Sequence, residues 1–208
     1  IFLGGVQRLA SVTEKLVPIM AALFLLGGLV VLVVRIKYIP ETIGMIFKFA
    51  FTPSALIGGG IGYALKTAIS QGAKRGLFSN EAGMGSTPHA HAMANVEKPH
   101  DQGVVAMIGV FIDTFVVLTM TALVMITCLY TGNGILAGLQ GEAYTAAISG
   151  ASAVVSKTSA MQIAVGSVFG TGFGNIFVAI CLLFFAFSTI LGWNFFGKVN
   201  VEYLSKKN

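Results

Sequence analysis

The chain has 208 residues, 55% of them hydrophobic and only 10% charged, where soluble domains carry about 25% charged residues. Its net charge of +5 comes from lysines and arginines beside apolar runs, the usual pattern at membrane span ends, so nucleic-acid binding is set aside. What remains is an all-α polytopic membrane protein in a lipid bilayer.

The first apolar run is "LVPIMAALFLLGGLVVLVV", Leu16 to Val34, uncharged between Lys15 and Arg35. At about 1.5 Å per residue roughly 20 residues cross a hydrocarbon core of about 30 Å, which predicts a span over 14–36. Next, Pro40 and Pro53 bracket a short interfacial helix predicted over 38–52. In "SALIGGGIGYALKTAISQGAKRG", a turn of 100° per residue gathers Tyr63, Lys66, Thr67, Ser70 and Lys74 on one face. Ile61, Leu65, Ala68, Ile69 and Gly72 gather opposite. Such a helix either lies in the interface or lines a watery cavity.

The stretch "FSNEAGMGSTPHAHA", Phe78 to Ala92, interrupts this pattern. Ser86 or Thr87 can cap a new helix with Pro88 in its first turn. That helix should stop before Pro99, because the residue preceding proline avoids the helical region. The prediction is a broken span over 60–96 with "NEAGMGS" unwound. In hydrocarbon, unwound backbone is tolerated only where it is buried in protein or lines a polar site, as at the midplane sites of secondary transporters. An ordinary loop between two helices is the competing reading. His89 and His91, two positions apart, point about 200° from each other on a helix and cannot clasp one metal ion; with His100 they read as solvated residues.

A second long run, Gly103 to Tyr130, predicts a span over 103–131 interrupted by Asp113. An acid inside a span costs roughly 2.5–3.5 kcal/mol, so it marks an ion path or ties to a neighbouring helix. The glycine-rich segment after Tyr130 suits two short surface helices over 140–168, as in a lid. Gly134/Gly138 and Gly166/Gly170/Gly174 have helix-packing spacing. The last run predicts a span over 173–197. Its "FFAFSTILGW" sets Ser188 and Thr189 beside the oxygens of the preceding turn. Neutral oxygens of this kind suit a weakly held Na⁺, although such hydroxyls often bond only to their own helix. Trp193 reads as an interfacial anchor or a pocket wall, and Cys128 and Cys181 as small core residues. Beginning at Ile1 and ending in "EYLSKKN", the chain is expected to be an internal fragment of a larger protein.

"KRGLFSNEAGMGSTPHAHA", "GVFIDTFVVLTMTALV" and "LFFAFSTILGWNFFG", together with "SVTEKLVPIMAALFLLGGLVVL" and "IPETIGMIFKFAFTP", closely resemble the alanine or glycine:cation symporter family. These proteins are also called sodium:alanine symporters. The similarity covers nearly the whole chain. It implies part of a five-plus-five inverted-repeat fold of leucine-transporter type, with four spans here corresponding to the fifth to the eighth and the broken one to the sixth. It also implies sodium-coupled symport of a small neutral amino acid, alanine or glycine, by alternating access across a bacterial or archaeal cytoplasmic membrane.

Carried over by position, Asn80, Gly83, Met84 and Gly85 would line the substrate pocket, Met84 packing against a methyl-sized side chain. The Phe185 carbonyl with the Ser188 and Thr189 hydroxyls would supply half a sodium site, and Asp113 a possible second cation site. The other half of each site would come from the remaining helices of the full-length parent, so the fragment alone should not transport. Rival readings are an ion channel or pore subunit, which should show a carbonyl filter or charged ring, and a non-transporting assembly protein, which leaves Asp113 and the break uncompensated. An enzyme is not expected, since no nucleophile and base converge.

Overall fold

A computed structural model of the chain describes residues 5–51, 56–81, 83–139, 141–148, 153–156 and 158–205. Side chains are described for all of these except 5–7, 9–10, 49–51, 56–65, 67–68, 141 and 145. Among the described residues every regular element is helical. In chain order they are α1 (Gly5–Val34), a single 3-10 turn (Ile36–Tyr38), α2 (Ile39–Phe51), α3 (Leu56–Ser79) and α4 (Thr87–His91). There follow α5 (Pro99–Leu129), α6 (Gly141–Ile148), α7 (Ala160–Phe169) and α8 (Thr171–Ser205).

Three of these helices are long and apolar enough to cross a membrane: Ser11–Val34 within α1, α5 and α8. Leu26, Val33, Met107, Phe115, Leu183 and Val201 on them remain exposed, an apolar surface that suits lipid as the solvent. α5 starts where its sequence requires: Lys98 is extended at φ −125 and ψ 129, and Pro99 takes the first turn, where a missing N–H costs nothing. Its middle, Ile112–Leu118, widens into a π-helix, and there the Thr119 hydroxyl donates five residues back to the Thr114 carbonyl at 3.3 Å. No local sequence signal marks this widening.

The chain forms two compact units, residues 1–43 with 114–193 and residues 44–113 with 194–208. In the first, α1, the second length of α5 and α7 share a core of Val31, Val124, Cys128, Leu129, Ala160 and Ala164. α7 is thus a packed element within its unit, with Ala164 and Val165 fully enclosed. The glycines Gly166, Gly170 and Gly174 lie on both sides of a tight turn. Gly170 makes the turn at φ +90, and a Cβ on Gly174 would fall 2.5 Å from the Gly166 nitrogen. Arg35 joins α1 to α5: Nε donates to Thr127 O at 3.2 Å, and Nη2 to Thr127 O at 2.5 Å and Thr131 O at 3.1 Å.

In the second unit the head of α4 meets the tail of α8. His89 lies 3.1 Å from Ser86 O through Nδ1 and 3.2 Å from Asn200 Oδ1 through Nε2. His91 turns elsewhere, with Nδ1 at 2.7 Å from Gln102 Nε2. On α3, Lys66 and Lys74 are exposed and Ser70 half-buried. The side chains of Ile61, Tyr63, Leu65, Thr67 and Ala68, on which the two-faced reading also rests, lie outside the described residues.

Candidate functional site

The interruption between α3 and α4 is built residue by residue. The Asn80 N–H still reaches back to Gly76 O at 3.2 Å, and its side-chain amide donates to the same carbonyl at 3.1 Å. Bonding then drops to three-residue turns, Glu81 N–H to Phe78 O at 3.2 Å and Met84 N–H to Glu81 O at 3.3 Å. Gly83 and Gly85 take φ of +78 and +80, with nothing within 4 Å of the place where a Cβ would stand. Their lack of a side chain therefore serves the backbone turn and not close packing. Met84 between them is 46% exposed. Ala82 lies outside the described residues.

Ser86 occupies the cap position of α4 but does not use its side chain as a cap; its backbone is already helical at φ −74 and ψ −48. Its hydroxyl donates instead to Glu81 Oε2 at 2.5 Å, and the Thr87 hydroxyl donates to the same oxygen at 2.8 Å. A charged acceptor forms roughly twice as strong a bond as a neutral one, which accounts for the choice. α4 then ends at His91, well short of Pro99, and its chain loosens through Met93 N–H to Ala90 O at 3.2 Å and Ala94 N–H to His91 O at 3.1 Å.

Glu81 is the residue that the sequence reading passed over. It sits at φ +50, a left-handed conformation that costs a side-chain-bearing residue about 1–2 kcal/mol. The available signal was an acid five and six residues ahead of a Ser-Thr pair, inside a stretch too glycine-rich to stay wound. Asp113 belongs to the same unit. It stands in the first turn of the π-helix, and the hydroxyl of Ser79, the last residue of α3, approaches Oδ2 at 3.5 Å, the long limit of a hydrogen bond.

In the other unit, the Phe185 carbonyl accepts from the Ser188 hydroxyl at 2.9 Å and the Thr189 hydroxyl at 2.8 Å. The positions i, i+3 and i+4 lie one above another on a helix, so three neutral oxygens gather in one turn. Both hydroxyl protons point at the carbonyl, the geometry of back-bonding within a helix; to hold a cation they would rotate away and offer lone pairs. The Phe24 ring from α1 meets Phe185 edge-on, with centroids 5.6 Å apart.

The model of the sodium:alanine symporter family matches the chain over residues 1–208. The chain is similar to the sodium/alanine symporter AgcS of Methanococcus maripaludis, 40% identical over 98% of this chain and 40% of that protein. It is also similar to an uncharacterized transporter of Haemophilus influenzae, 38% identical over 98% of the chain and 41% of that protein. A third relative, the sodium/proton-dependent alanine carrier protein of a Bacillus species, is 37% identical over 97% of the chain and 43% of that protein. The chain thus spans about two fifths of the length of the curated relatives it matches. With the family model matching from end to end, this chain belongs to the sodium:alanine symporter family.

Proposed function

We propose that the chain is the part of a sodium-coupled symporter for small neutral amino acids, alanine or glycine, that carries the broken helix and half of a cation site. The observation that carries the reading is the interruption between α3 and α4, where Gly83 and Gly85 turn at positive φ in open space. Peptide N–H and C=O groups so released can meet an ammonium and a carboxylate without any charged side chain, and such breaks form transporter binding sites. Asn80, Gly83, Met84 and Gly85 would line the pocket, with exposed Met84 against the substrate's methyl group.

The oxygens of Phe185, Ser188 and Thr189 suit Na⁺ for a specific reason. They are neutral and already clustered, so they can replace part of a hydration shell without binding the ion too tightly for release. Asp113, beside the end of α3, would serve a second cation. In this scheme Na⁺ and amino acid favour the same closed arrangement, each raising the other's affinity by the same factor, typically about 5- to 150-fold. Alternating access would follow from rocking of the two halves of an inverted-repeat fold in the cell membrane. The names of the relatives from Methanococcus maripaludis and the Bacillus species, a sodium/alanine symporter and a sodium/proton-dependent alanine carrier, support the choice of ion and substrate.

The test is uptake of labelled alanine by proteoliposomes holding the full-length protein, with Na⁺ replaced by choline and with Ser188→Ala and Thr189→Ala variants. Uptake should collapse in choline. Each variant should raise the half-saturating Na⁺ concentration about tenfold, as for a loss of about 1.4 kcal/mol. Uptake that persists unchanged in choline refutes sodium coupling, and an unaltered Na⁺ dependence in both variants removes this site.

A further inference from the structure

Two properties of Glu81 have no use in the function proposed above. Its backbone holds φ +50 at a helix end where glycine or asparagine is the usual occupant, so its side chain is retained at a conformational cost. That side chain also spans the break: Oε2 receives the protons of Ser86 Oγ at 2.5 Å and Thr87 Oγ1 at 2.8 Å. Ser86 is 7% exposed, so its hydroxyl has little water to turn to. Between acid and hydroxyls lie Gly83 and Gly85 at φ +78 and +80. Glycines in open space have the largest conformational freedom of any residue, and ordering them only when a ligand arrives would subtract from its affinity.

We infer that Glu81 is a positioning residue that holds the unwound segment in its binding geometry. Its carboxylate ties the tail of α3 to the head of α4, so that the peptide groups of Gly83, Met84 and Gly85 are ordered before the amino acid binds. The inference rests on the proposed function for the identity of that guest, and Glu81 itself does not touch it. Both hydrogen bonds end on one oxygen, so the clamp needs an acceptor there more than it needs a charge. Glutamine supplies that acceptor and alanine does not. Alanine carries the same left-handed backbone cost as glutamate, so Glu81→Ala removes the clamp alone.

The experiment uses the full-length protein in proteoliposomes. Glu81→Ala should raise KM for alanine about tenfold, equivalent to about 1.4 kcal/mol, with kcat nearly unchanged. The Ser86→Ala/Thr87→Ala pair should do the same, and adding Glu81→Ala to that pair should change nothing further. Glu81→Gln should stay within about threefold of the parent, or less than about 0.7 kcal/mol. Amide hydrogen exchange at residues 83–86 without substrate should be faster in Glu81→Ala than in the parent. The inference is overturned if KM does not move in the Ser86/Thr87 pair, if the effects add in the triple variant, or if Glu81→Gln is as harmful as Glu81→Ala. Should Glu81→Ala fail to fold, the Ser86/Thr87 pair carries the test. A parent protein that takes up no alanine while exchange still accelerates in Glu81→Ala would defeat the proposed function and leave the clamp standing.

Discussion

Replacing Arg35 by methionine would cut the polar tie between the end of α1 and the end of α5 while keeping an unbranched apolar stem over Tyr38. The guanidinium serves two carbonyls, Thr127 O and Thr131 O, and stands 4.2 Å from the centroid of the Tyr38 ring. A hydrogen bond from a charged donor contributes about 1.5–3 kcal/mol, a stacked cation about 0.5–1, and a cation at a helix C-terminus about 0.3–1. These do not sum, because neither carbonyl is orphaned when the arginine goes. Thr127 O keeps the Thr131 hydroxyl at 2.7 Å, and Thr131 O keeps the Gly134 N–H at 3.0 Å. The expected loss for Arg35→Met is therefore about 2 kcal/mol, the size of one charged bond with its electrostatic surroundings. Arg35→Lys should lose about half as much, since an ammonium keeps the charge but lacks the fork that reaches two acceptors. Both are measured by unfolding of the full-length protein in one detergent at matched concentration. A lysine variant as stable as the parent, or a methionine variant within about 0.5 kcal/mol of it, would refute this account.

Gly174→Ala should destabilise by about 1–3 kcal/mol, because its Cβ would press on the backbone of Gly166 and Gln162, which cannot turn aside; an unchanged melting temperature would show that α7 and α8 are not so close. Thr42→Val should leave stability unchanged or raise it by up to about 1 kcal/mol, since the hydroxyl of fully buried Thr42 has no hydrogen-bond partner among the described residues. A clear loss on unfolding would mean that the parent supplies a partner. Asp113→Asn preserves the shape of the Ser79 contact and removes the charge; if a second cation is held there, the dependence of uptake on Na⁺ should become less cooperative. An unaltered Na⁺ curve would leave Asp113 as a tie to α3.

Much of this was legible because the relevant signals are local. Three long apolar runs, one of them interrupted by Asp113, give three long apolar helices, and Gly83, Gly85 and Pro88 mark where the winding stops and restarts. Phe185, Ser188 and Thr189 come together because one helical turn suffices to join them. What escaped depends on distance along the chain or on competition between acceptors. The tie from Arg35 to Thr127 spans 92 positions, and no spacing rule reaches that far. Ser86 looked like a cap and became a donor to Glu81, because residue type shows that a hydroxyl can bond but not which of two acceptors will win. The short run of α4 had a similar cause: proline at residue 99 limits a helix from outside, whereas the winding had already loosened beyond Ala92.

The widened turn at Ile112–Leu118 makes α5 a rod with a twist of phase inside it. A π turn lodges one residue more than the surrounding α-helix would, and each residue is worth about 100° of azimuth. Within the widened stretch, side chains that a plain helical wheel would draw on one edge therefore belong to different edges. Removing a single residue from this stretch would let it relax to ordinary winding without any break in the helix, because the widened turn accommodates that one extra residue and nothing more.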